Sequence, residues 1–469
     1  ARRSAADVIF PQGFREGSSF NNPMWNDKIG GPKELDKDLP PIVLFRQFFD
    51  NEMLDHCVHK TNEYAMRHNI CWRKGGRVVS VDHAQVLRYL GLTLAMGFNP
   101  NPSIRDYFRD PAGHGLLGNK MIGEIMSYGQ FHAVHRAFHF DLKFIVNKAN
   151  ENIKKYWVPF QQVAVDEWMV PFKGRIRFRQ HVRGKPHATG IKNFCIADDA
   201  GYMYHFWVYR GKQNEDNEGN TVHDYVWNLV QKLPTDRKYV VFADQFYGSM
   251  DLARTLQEHG HQFVLSCQAN RPSEVFSQYL QRFLKRQDDA RHIVTEDGQI
   301  CALSYYDNGK CNFLANCSSS ERSESMRVNG RSPPRIIETY RNYMHGVDKA
   351  NAAISLYLFR HRTNKYTRAV FNSVLKMLLA NAWRCKQHLS GDLKMEQRDF
   401  LLPIIYSLVK KTAKQRRRVR SPHYPRPCGV KRNCMQCKAN KKYSNTTYFC
   451  PGCKVYLHVK CWEEWHSQK

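Results

Sequence analysis

Residues Gln161–Arg175, with the sequence QQVAVDEWMVPFKGR, decide the fold of this chain. The segment begins with alternating apolar residues, continues into the acidic pair Asp166 and Glu167, and ends in a basic turn. Val163 and Val165 are β-branched and alternate with other residues, which predicts a short strand. A carboxylate at the end of such a strand must be solvated, paired or bound to a cation, because an unpaired buried charge is costly.

Two more aspartates follow comparable segments. The run KYVVFAD is apolar and closes on Asp244, and NYMHGVDKANAA places Asp348 at the start of an apolar helical pattern. Three aspartates at the ends of separate elements predict a two-metal site, because Mg²⁺ is a hard cation that takes few carboxylate ligands and keeps several waters. Asp198 and Asp199 are also adjacent acids, but they lie in a predicted hairpin turn, where aspartate commonly bonds the local backbone. We therefore leave them out of the predicted site.

The composition predicts a folded protein with a polyanionic partner. The chain has 469 residues, of which 42% are hydrophobic and 13% aromatic, enough for several domains with packed cores. Its formal net charge of +28 indicates nucleic acid or an anionic membrane surface as the partner. No apolar run reaches the length of a membrane span, and the N-terminal ARRSAADVIF has no signal-peptide core. We therefore expect nucleic acid and no membrane.

The cysteines cluster near the C-terminus, where six of the 14 lie between Cys428 and Cys461. Ligand-type residues occur there as close pairs: Cys434 with Cys437, Cys450 with Cys453, and His458 with Cys461, followed by His466. Two ligands on one tight turn can share a zinc tetrahedron, so the interleaved spacing predicts a cross-brace. The first and third pairs would hold one ion, and the second and fourth the other. The eighth ligand is either His423 or Cys428, and the ligand count predicts about two structural zinc ions per chain.

Several segments together resemble the successive motifs of piggyBac-type DNA transposases. They are DEWMVPFKGR, KPHATGIK, FADQFYGSMDLARTL and YRNYMHGVDKANAA, and the likeness extends from PIVLFRQFFDNEMLDHCVHKTNEYA to the cysteine-rich tail. The resemblance implies that Asp166, Asp244 and Asp348 are the catalytic triad and hold a pair of Mg²⁺ ions. Two positions depart from the family pattern. Gln245 follows the second aspartate where asparagine is usual, and Asn351 stands where another aspartate is usual.

The resemblance also implies an activity, partners and a fold class. The chain would be a DDD endonuclease and strand transferase that nicks transposon ends, forms hairpins and joins the ends to double-stranded DNA at TTAA sites. It would act in the nucleus as a homodimer or higher oligomer. The implied fold is multidomain α/β, with an RNase H-like catalytic core, an insertion domain, flanking helical segments and a C-terminal RING/PHD-like zinc domain.

The predicted organisation follows the changes in periodicity and composition along the chain. The boundaries are 1–40 for an extended N-terminal arm, 41–160 for the first part of a helical dimerisation and DNA-binding domain, 161–267 for the catalytic core, 268–334 for the insertion domain, 335–357 for the core segment with the third aspartate, 358–411 for the second helical part, 412–422 for a basic linker and 423–469 for the zinc domain. For the arm we favour a loosely held terminus over a segment that wraps a partner.

Within these regions the patterns predict individual elements. The core shows the order β-β-β-α-β-α-β. In the insertion, VFSQYLQRFLKRQDD predicts a charged helix, and the residues after it predict two or three strands with tight turns.

Basic side chains near the aspartates are the predicted contacts to the DNA backbone, because phosphate contacts position a duplex without reading its sequence. They are Lys173, Arg175, Arg177, Arg179, Arg183, Lys185 and Lys192, together with Arg360, Arg362, Lys365 and Arg368 on a later helix. Tyr366 lies where the family usually has a tryptophan near the cleaved ends. It would either stack on an unpaired base or lie at a helix surface. The run KKTAKQRRRVR is a solvated tail, a nuclear localisation signal or a DNA grip, and the high net charge favours the last two.

Two other classes of function stay open. A domesticated transposase that has lost catalysis would act as a DNA- or chromatin-binding factor. Gln245 and Asn351 favour that alternative, whereas the intact aspartate triad speaks against it. The tail could also serve as a RING-type ubiquitin ligase or a histone reader, but it is a small fraction of the chain.

Overall fold

The computed structural model describes most of the chain. The described residues are 10–17, 19–73, 75–108, 120–182, 188–211, 217, 219–323, 332–357, 363–410, 426–451 and 453–467. The chain forms two compact units, Ala1–Val409 and Lys410–Lys469. No helix within the described ranges has the length and apolar character needed to cross a membrane.

Strands and helices alternate along the first unit. Its strands are β1 (Phe14–Arg15), β2 (Asn21–Asn22), β3 (Gly31–Pro32), β4 (Trp157–Val158), β5 (Gln162–Pro171), β6 (Gln180–His181), β7 (Thr189–Asp198), β8 (Met203–Val208), β9 (Val240–Gly248), β10 (Gln262–Cys267), β11 (Ala290–Thr295), β12 (Cys301–Tyr306), β13 (Lys310–Ala315) and β14 (Ser318–Ser319). Its helices are α1 (Pro41–Phe48), α2 (Asn51–Arg67), α3 (His83–Phe98), α4 (Lys120–Ile125), α5 (Tyr128–Ala137), α6 (Leu142–Lys155), α7 (Val222–Val230), α8 (Met250–Glu258), α9 (Arg335–Tyr343), α10 (Gly346–Ser355), α11 (Tyr366–Ser390) and α12 (Gln397–Val409). Short 3-10 turns occur at Ile104–Phe108 and Leu280–Phe283.

A mixed sheet of ten strands forms the centre of this unit, in the order β1-β11-β12-β13-β10-β9-β5-β7-β6 with β8 paired to β7. β5 lies between β9, which runs parallel to it, and β7, which runs antiparallel. Most residues of these three strands are buried, which is typical of strands covered on both faces. The predicted order is confirmed as β5, β7, β8, α7, β9, α8 and β10, and so is the α/β class.

Strands from the predicted insertion, residues 268–334, join the same sheet. β11, β12 and β13 pair antiparallel in succession, and β13 pairs with β10. The predicted charged helix before them is wrong. The Leu280 and Gln281 amides donate to carbonyls five residues back, at Val275 and Phe276, so the segment makes wide turns. The Val275, Phe276 and Leu280 side chains are buried in the core, and this tertiary burial outweighs the helical preference of the segment.

The N-terminal arm is extended, as predicted, and is bound to the sheet. β1 pairs antiparallel with β11, and β2 pairs with β14. The Trp25 amide donates to Gln262 Oε1 at 2.8 Å, and the Trp25 carbonyl accepts from Gln162 Nε2 at 2.9 Å. The Asp27 amide donates to Gln161 Oε1 at 2.7 Å. The preference for a loose terminus is therefore wrong for the described part of the arm, because glutamine side chains satisfy its backbone groups.

Helices α1 to α6 lie within residues 41–160, where the sequence predicts mainly helix. Asp50 begins α2 by accepting a hydrogen bond from the Met53 amide, and Asp82 forms a capping box with Gln85 at the start of α3. The later helix α11 packs on α1, and α12 packs on α1 and α3. The two helical stretches, separated by the sheet in sequence, therefore form one packed layer.

Helix α10, which carries Asp348, approaches β7 closely at its first residue. A Cβ atom at Gly346 would lie 2.7 Å from the carbonyl oxygen of Asp198 and 3.0 Å from that of Ala197. Because backbone atoms cannot move aside as a flexible side chain can, only glycine fits there. Gly346 therefore sets the distance between α10 and the sheet.

Replacing Gly346 by alanine should destabilise the protein by about 1–3 kcal/mol, because the added methyl group overlaps the backbone of β7. Gly129→Ala is the matched control, since Gly129 also lies in a helix and its Cβ would meet no described neighbour within 4 Å. The control should leave the free energy of unfolding within about 0.5 kcal/mol of wild type or raise it slightly. Thermal unfolding compares the two variants, and equal melting temperatures would contradict the close approach of α10 to β7.

Candidate active site and metal-binding clusters

Two of the predicted catalytic aspartates lie midway along the neighbouring strands β5 and β9, and not at the strand ends that the sequence predicts. In the parallel ladder between β5 and β9, Val165 is the partner of Ala243. Asp166 and Asp244 are the next residues of their strands, so the two carboxylates lie side by side on one face of the sheet, just past the last pair of this ladder. Both residues are half-buried, and Asp244 Oδ1 accepts a hydrogen bond from the Phe246 amide at 2.8 Å.

Helix α9 covers the face on which these aspartates lie. Ala164 and Phe242, two residues before each aspartate and therefore on the same face, are buried in a cluster with Tyr340 of α9. Burial raises the pKa of the Tyr340 phenol, and the charges of Asp244 and Asp166 raise it further. The phenol therefore lies near both carboxylates.

The third aspartate lies in the first turn of α10, which packs on β5 and β7. Asp348 has a side chain that is 51% exposed and lies 3.4 Å from His345 Nδ1. One turn further, Asn351 Nδ2 donates to the Glu167 carbonyl oxygen at 3.4 Å, next to Asp166 in the chain. Because residues three apart share a helix face, this contact turns Asp348 toward the same side of β5.

The donor atoms at this site suit a hard cation. Three of the donors are the carboxylates of Asp166, Asp244 and Asp348. On the same helix as Asp348, Asn351 Oδ1 is a buried oxygen that has no hydrogen-bond partner among the described residues. The oxygens of the three aspartates do not all lie within 4.8 Å of one another, so they do not form a closed cage for one ion. A site for two ions about 3.5–4 Å apart does not require one closed cage of this kind.

Lys192 is buried in an ion pair and is not a surface contact for DNA, which corrects the sequence prediction. Its Nζ atom lies 2.8 Å from Glu167 Oε1, and both side chains are buried. Burial alone would raise the pKa of Glu167, but a hydrogen bond with Asp166 and the positive charge of Lys192 outweigh it and lower the pKa to about 2. A lysine within the apolar run IKNFCIAD and a glutamate within VAVDEWMV were the sequence signals for this pair.

Four of the predicted DNA contacts form an exposed basic ridge after β5. They are Lys173, Arg175, Arg177 and Arg179. These residues alternate with Phe172, Ile176 and Phe178, which are buried or half-buried, so the apolar side chains are directed inward and the cations into solvent. Arg179 Nη1 donates to the carbonyl oxygens of Lys173 and Gly174 at 3.2 and 3.1 Å, which fixes the turn within the ridge.

The DNA contacts predicted around the start of α11 differ in their exposure. Arg368 is buried, and its Nη2 atom donates to the carbonyl oxygens of His135 and Phe138, so it is a structural residue and not a DNA contact. Lys365 is exposed, with its ammonium 4.8 Å from the ring centroid of Tyr64. Tyr366 is half-buried and meets Phe178 edge to face at 5.4 Å. Arg183, Lys185, Arg360 and Arg362 lie outside the described residues.

Asp198 is a structural carboxylate, in keeping with its exclusion from the predicted site. It is fully buried and accepts hydrogen bonds from Trp157 Nε1 at 2.7 Å and from the Phe160 and Tyr202 amides at 3.1 Å. Burial raises its pKa to about 6 despite these donors. Its neighbour Asp199 pairs with Lys349 of α10.

The second unit is small and has a core made mainly of cysteine. Its elements are β15 (Arg426–Asn433), α13 (Met435–Ala439), β16 (Asn445–Cys450), β17 (Val455–Tyr456) and α14 (Trp462–Ser467), with β16 between the other two strands. The buried residues of this core are Cys434, Cys450, Cys461 and Leu457. This apolar surface is too small to stabilise a fold by itself. The stability of the second unit therefore depends on what the cysteines bind.

Seven predicted zinc ligands come together in two clusters. One contains Cys434, Cys437, His458 and Cys461, and the other contains Cys450, Cys453 and His466, with the ligand atoms of each cluster within 4.8 Å of one another. Cys437 Sγ lies 3.7 Å from Cys461 Sγ and 3.4 Å from His458 Nδ1. A zinc tetrahedron with bonds of about 2.3 Å to sulfur and 2.0 Å to nitrogen has edges of about 3.8 and 3.5 Å. The grouping is the interleaved one that the spacing predicts.

The histidines of both clusters are oriented for metal binding. His458 Nε2 lies 2.9 Å from the Asn445 carbonyl oxygen, and His466 Nδ1 lies 2.7 Å from that of Trp462. Donation by these ring N–H groups leaves the other ring nitrogen of each histidine as a lone pair facing the cysteine sulfurs. Such hydrogen bonds commonly fix the tautomer of a metal-binding histidine.

The structure does not bring Cys428 to the second cluster. Its Sγ atom lies 3.1 Å from the Thr447 carbonyl oxygen, and it belongs to neither group of ligand atoms. His423, the other candidate for the eighth ligand, lies outside the described residues. The described part of the tail therefore offers four ligands in one cluster and three in the other.

Comparisons with known proteins indicate one family. A family model described as Transposase IS4 matches residues 40–383. The human proteins PiggyBac transposable element-derived protein 3 and protein 2 are 24% and 22% identical to the chain, over 91% and 92% of it and over 76% and 77% of their own lengths. The cryo-EM structure of a piggyBac transposase synaptic complex with hairpin DNA is similar in fold, with a TM-score of 0.70, 18% identity and coverage of 84% of each chain.

Removing metal from the tail should unfold it and leave the first unit folded, because cysteines make up most of its core. Cys450→Ser should have the same effect, whereas Cys428→Ser is the matched control, since its sulfur lies outside both clusters. Limited proteolysis with and without a chelator measures the outcome. A tail that resists the protease equally in chelator and in Cys450→Ser would contradict a metal-dependent fold.

Asp198 should make the stability of the first unit depend on pH. Its pKa of about 6 in the folded state lies above the ordinary value, so folding favours the protonated form. Its contribution is complete below about pH 4, where the group is protonated in both states, and is lost as the pH rises through the folded pKa. Asp198→Asn should flatten this slope in denaturant unfolding between pH 4 and 7, while Asp251→Asn, at an exposed aspartate, should keep it. Equal slopes in all three proteins would count against this role of Asp198.

Proposed function

Since the chain belongs to the piggyBac-type family of transposases, we propose that it cleaves DNA strands at transposon ends and joins them to target DNA. The observation that carries the proposal is the position of Asp166 and Asp244, side by side on two parallel strands just past the last pair of their ladder. The helix that bears Asp348 packs on the first of these strands. Three carboxylates grouped where the two strands separate suit a metal-dependent reaction at a phosphodiester.

Each aspartate has a distinct part in this proposal. Asp166 would hold the ions together with Asp244 on the neighbouring strand and Asp348 on the helix that packs on β5. When bound, two Mg²⁺ ions would activate an attacking water or 3′-hydroxyl and stabilise the leaving oxygen. The Phe246 amide holds Asp244 in place, and Asn351 holds α10 on β5 and presents its own Oδ1 atom to the site.

The proposal extends to the fold and the DNA contacts. We assign the core to the RNase H-like class, supported by the parallel β5, β9 and β10 beside the antiparallel β7 and β8. The exposed ridge of Lys173, Arg175, Arg177 and Arg179 would lie along the DNA backbone, where its contacts weaken as salt is added. Cleavage at TTAA sites and hairpin formation are carried over from the family.

Assembly and location complete the proposal. Two ends must be held together for joining, so we propose at least a homodimer, with the helical layer of α1 to α6 and α11 as its interface. We propose the nucleus as its location, because the proposed substrate is DNA. The tail would hold about two zinc ions, with the fourth ligand of the second cluster outside the described residues, and would contact end DNA.

A domesticated descendant that binds DNA without cutting it is the second candidate. Asn351 favours it, because its amide donates to the Glu167 carbonyl, which an ionised carboxylate at that position could not do. The similar human proteins are also named as derived from a transposable element. Wild-type protein that binds transposon ends and never cuts them, with Mg²⁺ or Mn²⁺ present, would favour this candidate.

Asp166→Asn, Asp244→Asn and Asp348→Asn should each lower the rate of end cleavage at least about a hundredfold, because each removes a charged ligand from the reacting centre. Binding to end DNA should stay within about twofold, since none of these residues belongs to the basic ridge. Asp251→Asn, at an exposed aspartate in the first turn of α8, is the matched control and should cut like wild type. Cleavage of a labelled TTAA-flanked end measures the rates, and an undiminished rate in any of the three variants would refute that residue's assignment.

A further inference from the structure

We propose that the buried Lys192–Glu167 pair is a positioning device that sets the spacing between Asp166 and Asp244. The inference rests on the proposed function, since it concerns residues that would hold the metal-binding aspartates in place. Neither Lys192 nor Glu167 would touch the cations or the DNA.

The main-chain ladder between β5 and β9 ends just before the two aspartates whose spacing is in question. The last partners recorded between β5 and β9 are Val165 and Ala243, one residue before each aspartate. Beyond that point the distance between the two strands is set by side chains. A device that joins the strands just past the aspartates would therefore control how far apart the carboxylates lie.

Lys192 occupies that position. On the β5–β7 ladder, Met169 faces Lys192 and Glu167 faces Phe194, so Lys192 and Glu167 are diagonal neighbours on one face of the sheet. The ammonium lies 2.8 Å from Glu167 Oε1, which fixes the residue that follows Asp166. This contact ties β7 to β5 at the residue directly after Asp166.

The same ammonium reaches β9. It lies 4.4 Å from the ring centroid of Phe194 and 4.5 Å from that of Phe246, so it is held between two aromatic rings. The Phe246 amide donates to Asp244 Oδ1 at 2.8 Å, so the ring that meets Lys192 belongs to the residue that holds Asp244. The buried Lys192 ammonium thus contacts Glu167, which follows Asp166, and Phe246, which holds Asp244.

The two charges of the pair depend on each other. Losing Lys192 alone would leave a buried charge without its partner, which is strongly destabilising. A test therefore needs a variant that removes both charges together.

The experiment compares Mn²⁺ binding, measured by electron paramagnetic resonance on the full chain, with thermal unfolding and end cleavage. The test variants are Lys192→Met/Glu167→Gln, which removes both charges at similar volume, and Lys192→Arg, which keeps the charge but changes the shape of the cation. Lys60→Met/Glu63→Gln, at a pair on α2 that is more than a third exposed, is the matched control. Signal from other sites is subtracted with Asp166→Asn/Asp244→Asn.

The neutral double variant should melt close to wild type yet bind Mn²⁺ at least about tenfold more weakly and cut more slowly. Lys192→Arg should weaken Mn²⁺ binding less, and the control should match wild type. If both test variants bind Mn²⁺ and cut like wild type, the pair is only a stability element and the inference is overturned. A wild-type protein that neither binds Mn²⁺ at the aspartates nor cuts DNA would instead refute the proposed function. Should the double variant fail to fold, Lys192→Arg decides alone, with wild-type Mn²⁺ affinity counting against the inference.

Discussion

Val165 and Ala243 are partners at the last step of the parallel ladder between β5 and β9, and that pairing fixes most of what surrounds it. Parallel strands bring their carboxyl ends to the same edge, so residues distant in sequence become neighbours without any loop between them. Asp166 and Asp244 inherit their proximity from this register. A shift of one residue would turn one of the two carboxylates to the opposite face, so the ladder determines the chemistry as much as the fold.

The cation site proposed at the aspartates and the two cysteine and histidine clusters of the tail differ in donor atoms and in openness. At the aspartates the oxygen donors are spread over two strands and a helix, which suits hard ions that keep part of their water. In the tail the donors are sulfur and nitrogen atoms at tetrahedral spacing, with no room for water in the complete cluster of Cys434, Cys437, His458 and Cys461. The open arrangement fits a reacting centre, and the closed one fits a structural role.

The sequence predicted the elements whose cues are local. Alternating apolar residues indicated β5, and turn residues indicated the β7–β8 hairpin. Cysteine spacing indicated which ligands share a cluster. Prediction from the sequence failed where a residue's partner lies far along the chain. Lys192 and Arg368 looked like surface cations because a sequence displays charge and not burial, and the segment after residue 274 looked helical because tertiary burial of Val275 and Phe276 is invisible to periodicity. The arm looked loose for the same reason, since its glutamine partners lie well over a hundred residues away.

The arm also affects the order in which parts of the structure can form during translation. Phe20 and Ser320 are joined by a hydrogen bond at 3.0 Å although 300 residues separate them. A ribosome that adds about 5–20 residues per second needs roughly 15–60 s to deliver the second partner after the first. During that interval β1 and β2 have nothing to pair with, and the sheet lacks its outer strands. A nascent chain that stalls before Ser318 therefore exposes strand edges to other chains, so its aggregation is governed by translation as well as by stability.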